Sequence, residues 1–287
     1  MAKYFIAAVL LFKAIVIVAN FYNDFDITWS NDHAKILDNG REIQLSLDKE
    51  SGSAFQSKKE YLFGKYHMHI KLIPNNSAGT VTSFYLSSQG SNHDEIDFEF
   101  LGNISGEPYI LHTNIYTDGF GNREQQFYLW FDPRATFHTY SVVWSPQLLI
   151  LLVDNTPIRV FPNNEHLGVP YPNKQPMGVY SSVWDADNWA TRGGLVKTDW
   201  SKAPFVASFR NFNVLQGSSN GTVQNISSCA STSTSNYTQT SGNQVTQCLN
   251  PTQQHRLRWV QKHCMIYNYC NDAKRFPQGF PPECRST

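Results

Sequence analysis

His93-Asp94-Glu95-Ile96-Asp97-Phe98-Glu99-Phe100-Leu101 alternates with a period of two. Read as a strand, it places Glu95, Asp97 and Glu99 on one face and Ile96, Phe98 and Phe100 on the other. The apolar face fixes the register, because a slip of one residue would bury three carboxylates. Like charges along one face cost stability, and Asp and Glu are poor strand formers. A solvated outer face normally mixes such acids with Thr, Lys and Ser, so an unmixed acidic row beside an aromatic row points to chemistry. Calcium is a poor fit, since three carboxylates on a stiff strand do not wrap a cation as a loop does. Glycoside chemistry fits better. Residues i and i+4 on a strand lie roughly 13 Å apart at Cα. If both side chains lean inward, the carboxyls of Glu95 and Glu99 approach to roughly 5–6 Å, near the spacing of retaining rather than inverting glycosidases. Mutual repulsion should raise the pKa of at least one of them, which suits a general acid.

Outward from this strand, residues 20 to about 215 carry further β-like runs: Thr80–Leu86, Phe127–Phe131, Tyr140–Trp144, Leu148–Val153 and Val206–Val214. Turn clusters such as Asp38–Asn39–Gly40, Pro74–Asn75–Asn76, Asp118–Gly119 and Asp154–Asn155 separate them. This spacing predicts an all-β antiparallel sandwich or barrel. Two packed sheets would bury the Val, Ile, Leu and Phe faces and leave one outer face for a ligand. Residues 216–250 are rich in Ser, Thr, Asn, Gln and Gly and read as a polar linker. From Pro251, Leu257, Val260, Cys264 and Tyr267 recur at three- and four-residue steps and predict a helix in an extension spanning 251–287. The segment Phe276–Pro282 cannot be helical, and Cys284 could tether it.

The 287 residues carry 23 Lys+Arg against 23 Asp+Glu, with only 16% charged and 14% aromatic. Zero net charge without a basic block argues against nucleic acid as a partner. Low charge with many aromatics argues against disorder and suits a neutral, hydroxyl-rich ligand. Residues 1–19 read as a secretory signal, with Lys3 in the n-region and an apolar run from Ile6 to Ala19 that is too short to span a bilayer. Lys13 within that run also argues against a membrane anchor. Cleavage is expected after Ala19 or Asn20, leaving acids in excess by two and no membrane association. In an oxidising compartment an even subset of the five cysteines would pair. Any four allow three connectivities, of which Cys229–Cys248 and Cys270–Cys284 close the shortest loops. No CxxC spacing supports zinc. Glycosylation acceptor triplets start at Asn75, Asn103, Asn220, Asn225 and Asn236.

HDEIDFEFLGN (His93–Asn103) resembles the active-site strand of glycoside hydrolase family 16, in the form found in plant xyloglucan endotransglucosylase/hydrolases. SFYLSSQG (Ser83–Gly90), WATRGG (Trp189–Gly194), KTDWSKAPF (Lys197–Phe205) and the tail from Met265 to Cys284 extend the resemblance over nearly the whole mature chain. It implies a β-jelly-roll sandwich of two curved antiparallel sheets with an open cleft. It implies Glu95 as nucleophile, Glu99 as acid/base and Asp97 as their helper. The reaction would cut the β-1,4-glucan backbone of xyloglucan and pass the fragment to another xyloglucan chain, or to water. No metal or organic cofactor is implied.

The resemblance also lines the cleft with His112, Thr113, Asn114, Asn122, Arg123, Glu124, Asn188, Trp189, Gly193 and Arg275. His93 is read as a further cleft residue, and Trp184 as an aromatic candidate for sugar stacking. Trp29, Trp130 and Trp144 lie within strand-like runs and are assigned to core packing. Asn103 is the first choice for a glycan. Cys264 stands where the family usually has an aromatic and is expected as a buried free thiol, leaving Cys229, Cys248, Cys270 and Cys284 as two bridges. Asn188 and Asp185 depart from the family pattern, as though an acid had moved within the loop. A secreted, apoplastic monomer is expected. The alternatives are a mainly hydrolytic xyloglucanase or β-glucanase and, from another class, a non-catalytic wall-binding lectin.

Overall fold

The computed structural model describes residues 19–215 and 249–285. Its strands are β1 (Phe25–Trp29), β2 (Ala34–Leu37), β3 (Glu42–Leu47), β4 (Ser53–Ser57), β5 (Gly64–Lys71), β6 (Thr80–Ser87), β7 (Glu95–Leu101), β8 (Ile110–Tyr116), β9 (Gln125–Tyr128), β10 (His138–Trp144), β11 (Leu148–Val153), β12 (Thr156–Pro162), β13 (Gly178–Asp185), β14 (Phe205–Leu215) and β15 (Met265–Asn268). They form two antiparallel sheets. The first runs β1-β4-β13-β6-β7-β8-β9-β15 and the second β12-β11-β10-β5-β14-β3-β2. The expected two-sheet sandwich is therefore present, with the carboxylate strand near the middle of the first sheet.

The core lies between the sheets, and alternation built it: in β3 and β5 every second residue is buried. Phe98 of β7 stacks on Phe84 of β6, with centroids 6.0 Å apart, and meets the edge of Tyr140 from the opposite sheet at 5.9 Å. Phe100 meets the same Tyr140 at 4.6 Å. Each such fully buried ring contributes on the order of 1.5–3 kcal/mol by leaving water. These contacts, rather than any interaction among the acids, hold β7 in register. The turns use residues that tolerate positive φ, among them Asp38, Asn39, Asn75, Asp118, Asp154 and Asn155.

A one-turn helix α1 (Phe21–Asp24) precedes β1, and the helix α2 spans Pro251–His263, with Asn250 and Gln253 forming a capping box around a Pro at the first turn. Val260 and Cys264 are buried, as the stripe predicts. Tyr267 is not on this helix. The chain leaves it at Cys264 and Met265–Asn268 pairs with β9 as the last strand of the first sheet. An unpaired sheet edge thus overrode helical periodicity at residues of good strand propensity.

Cys270 and Cys284 are disulfide-bonded, and Cys264 carries a free, buried thiol. Cys229 and Cys248, the triplets at Asn220, Asn225 and Asn236, nearly all of the expected signal and most of the expected linker lie outside the described residues. Among the described residues no helix is long and apolar enough to cross a membrane. Trp144 is fully buried, but Trp29 and Trp130 are 43% and 38% exposed, against the core assignment. Trp29 sits on an edge strand, and Trp130 lies beyond the end of β9, leaning on Trp259 of α2 at 5.9 Å.

Candidate active site

Antiparallel pairing turns each carboxylate of β7 into the centre of a row across the outer face, because directly opposed residues share a face. Glu95 lies between Ser87 and Tyr116, Asp97 between Tyr85 and Asn114, and Glu99 between Ser83 and His112. The rows continue through Tyr180 and Ser182 of β13 on one side and Gln126 of β9 on the other. Tyr85 and Tyr180 stack at 5.0 Å beside Asp97. Just past β7, Gly102 approaches the Ser77 carbonyl so closely that a Cβ there would stand 1.9 Å from its oxygen.

The three acids differ in environment. Burial and the charges of Glu95 and Glu124 push Glu99 up to about 7. Burial raises Asp97 well above the carboxylate range, helped by its two acidic neighbours. Glu95 is raised by burial too, but hydrogen bonds shared with Ser87 and Asp97 and the nearby His93 favour its charged form. These environments favour a protonated Asp97 donating to an ionised Glu95. His93 Nε2 is 4.0 Å from Glu95, and its ring stacks on Tyr116 at 5.4 Å. His112 Nε2 is 3.8 Å from Glu99, while its Nδ1 bonds the Gln126 amide at 3.0 Å. Burial pushes His112 down to about 4, so it faces Glu99 as a neutral ring.

One flank is aromatic. Trp189 meets His112 at 6.1 Å and Trp184 at 6.2 Å. Its loop is pinned by Thr191, whose hydroxyl donates to the Gly102 carbonyl and accepts from the Gly79 N–H, each at 2.8 Å. Asn188 and Gly193 are exposed on this loop, and a Cβ on Gly193 would meet open space. Asp185 accepts from the Thr198 hydroxyl at 2.7 Å, so this acid is engaged in holding the loop.

The other flank is built by the extension. Arg275 Nη1 and Nη2 donate to the Glu124 carboxylate, and Nη2 also donates to Asn122 Oδ1 at 2.6 Å. Tyr267 of β15 stands opposite Gln126.

Two expected cleft residues are not in the cleft. Thr113 alternates to the core face of β8, is fully buried, and its Oγ1 accepts from Arg159 Nη1 at 3.0 Å. Arg123 is 7% exposed, with its guanidinium on Glu283 at 2.9 Å, on Thr117 and on the Pro170 carbonyl. The strand period carries Thr113 inward between the outward-facing His112 and Asn114, whereas Arg123 lies in the loop before β9 and is drawn inward by its guanidinium contacts. Asn114 keeps the cleft-side position but is buried, its Oδ1 accepting from the Ile115 and Arg123 N–H groups. Asn103 follows β7; its Nδ2 donates to the Pro108 carbonyl at 3.0 Å. The residues that sequence reading missed are Tyr85, Tyr116, Tyr180 and Gln126. Period two would have found Tyr116, because it falls in step with His112 and Asn114.

Comparison with known proteins identifies the family. The family model for glycosyl hydrolases family 16 matches residues 21–202, and that for the xyloglucan endo-transglycosylase C-terminus matches 232–284. Xyloglucan endotransglucosylase/hydrolase 2 of Glycine max is 63% identical over 266 residues, covering 93% of this chain and 89% of its own. Xyloglucan endotransglucosylase/hydrolase protein 15 of Arabidopsis thaliana is 59% identical over 272 residues, covering 94% and 91%. Among solved structures, a Bacillus licheniformis beta-glucanase matches with a TM-score of 0.53 and 26% identity, over 68% of this chain and 87% of its own. The chain belongs to glycoside hydrolase family 16, among its xyloglucan endotransglucosylase/hydrolases.

Proposed function

We propose that this chain cleaves the β-1,4-glucan backbone of xyloglucan with retention and transfers the fragment to a second xyloglucan chain. The observation that carries the reading is the row Glu95, Asp97, Glu99 on an open sheet face, in environments that separate their proton affinities. Ionised Glu95 attacks the anomeric carbon while Glu99 gives its proton to the departing glycosidic oxygen. A covalent glycosyl-enzyme and a free chain end result. Asp97 holds Glu95 by its hydrogen bond and accommodates the charge change. An acceptor hydroxyl then gives its proton to Glu99 and attacks the anomeric carbon, and Glu95 leaves as a carboxylate. Water in place of the acceptor gives hydrolysis.

His93, His112, Trp184, Trp189, Asn188, Gly193, Asn122, Glu124 and Arg275 are read as the sugar-binding surroundings of this step. Aromatic faces take the apolar sugar faces, and amides and charged groups take hydroxyls. A secreted, apoplastic monomer with a glycan on Asn103 and a Cys229–Cys248 bridge completes the proposal. The test is product-size analysis of xyloglucan with and without a labelled xyloglucan oligosaccharide. Transfer moves label into polymer and shortens the donor in proportion to added acceptor. A size distribution indifferent to acceptor would leave only hydrolysis, and an unchanged polymer that still binds would make the chain a lectin.

A further inference from the structure

Trp29 stands at the far edge of the sheet that carries the carboxylates. Its ladder partner is Ala54, whose partner is Ser182, whose partner is Ser83, whose partner is Glu99. A bulge between Ile27 and Trp29 sets the indole opposite Ala54, and opposed residues share a face, so this is one row on the cleft side. At about 4.8 Å per strand it runs roughly 19 Å from β7 to β1. Between the indole and Glu99 the row holds only the short side chains Ala54, Ser182 and Ser83. Larger groups flank it, with the Tyr85–Tyr180 stack on one side and Trp184 on the other. The result is a trough that begins at the reacting carboxylates and ends at Trp29.

The indole is 43% exposed yet firmly seated. It lies on Gly52, where a Cβ would meet ring atoms Cη2 and Cζ3 at 2.7 and 2.9 Å. A bare backbone underneath lets the ring lie close, and a large flat apolar surface is left open to solvent. Core packing does not account for such a residue. A pyranose offers a matching surface, since its axial C–H groups lie against the negative face of an aromatic ring.

We propose that Trp29 is a distal stacking platform for the β-glucan backbone, several sugars from the bond that is cut, and that it makes turnover depend on donor length. The inference rests on the glycosidase reading of Glu95 and Glu99 and adds a binding position to it. The test compares W29A and W29F with the wild-type protein on xyloglucan fragments of short and long backbone, reading kcat/KM for each. W29A should lose about tenfold on long donors and stay within about twofold on those too short to reach β1. W29F should keep most of the long-donor activity. Equal loss on short and long donors, or no loss on either, overturns the proposal. Retardation of the same three proteins in xyloglucan-containing gels needs no chemistry. W29A should migrate faster than wild type there, and equal retardation would overturn the proposal even if no donor were turned over. A wild type that binds but turns over neither donor would instead overturn the reading of the carboxylates.

Discussion

Arg275 and Glu124 form a bidentate pair across 151 residues of sequence, with Nη1–Oε2 at 2.6 Å and Nη2–Oε1 at 2.8 Å. Through it, a side chain of the extension restrains a carboxylate whose charge is felt by Glu99. The pair therefore links the cleft's edge to the proton affinity at its centre.

A pH profile should show this link. Glu99 must be protonated to act as acid, and that form is present below about 7 and lost as pH rises through it. The alkaline limb of kcat/KM is expected near that value. Glu124→Gln removes a charge that raises Glu99 and frees the Arg275 cation, and both changes lower the Glu99 pKa. The alkaline limb should move to lower pH, and an unmoved or raised limb would contradict the assignment of Glu99.

The two glutamates should fail differently. Glu95→Gln abolishes the covalent intermediate and should lower kcat by roughly 10³-fold or more. Glu99→Gln should cost roughly 10²–10⁴-fold with ordinary donors. It should cost far less with an activated aryl glycoside, whose leaving group needs no proton. Stopped-flow release of the aryl group reads this, and equal loss for both donor types would remove Glu99 from the acid role.

The tail is held by a buried ion pair. Arg123 and Glu283 meet at 2.9 Å with both side chains 9% exposed. Glu283→Ala leaves a guanidinium buried without its counter-charge and should cost about 3 kcal/mol in urea unfolding. Replacing both by apolar residues of similar volume should recover much of that loss. A single substitution that leaves stability unchanged would show the pair to be inert.

Processing can be read at the N-terminus. The Asn20 N–H donates to Asp24 at 2.8 Å, and the Asn20 side chain accepts from the Tyr22 N–H and donates to Asn39. Cutting after Ala19 keeps this cap and turns the first contact into an ion pair. It gives up one bond from the Ala19 N–H to the Phe212 carbonyl. Cutting after Asn20 loses the cap entirely. Intact mass of the protein recovered from the medium of expressing plant cells should give a chain beginning at Asn20, and a first residue of Phe21 would refute this.

The carboxylate strand was legible because its two faces differ so completely. An aromatic row can only be inside, and the acids are then forced outward. The same alternation governs the neighbouring strand β8. The resemblance puts His112–Asn114 and Asn122–Glu124 in the cleft as contiguous blocks, although a strand cannot present three successive side chains to one ligand. Thr113 faces inward as period two requires, while Arg123 lies in the loop before β9, where contacts with Glu283 and Thr117 rather than a strand period decide its direction. Tyr85 was hidden for another reason: β6 is apolar or small on both faces, so its sequence does not mark the outer one. Trp29 and Trp130 show that strand membership does not decide burial. Whether a strand is an edge depends on pairings made far away in sequence, and those become visible only with the topology.

The last strand of the cleft sheet, β15 (Met265–Asn268), joins β9 (Gln125–Tyr128) from far downstream in the sequence. This imposes an order of assembly on biosynthesis. All three carboxylates emerge from the ribosome long before the residues that finish the cleft's outer edge, and the Cys270–Cys284 bridge can close only after Cys284 has emerged. A nascent chain can carry the reacting groups but not a complete polymer-holding surface. Full competence to grip polysaccharide therefore arrives only once residues 265–284 have emerged, and a product cut short before Met265 would be released without it.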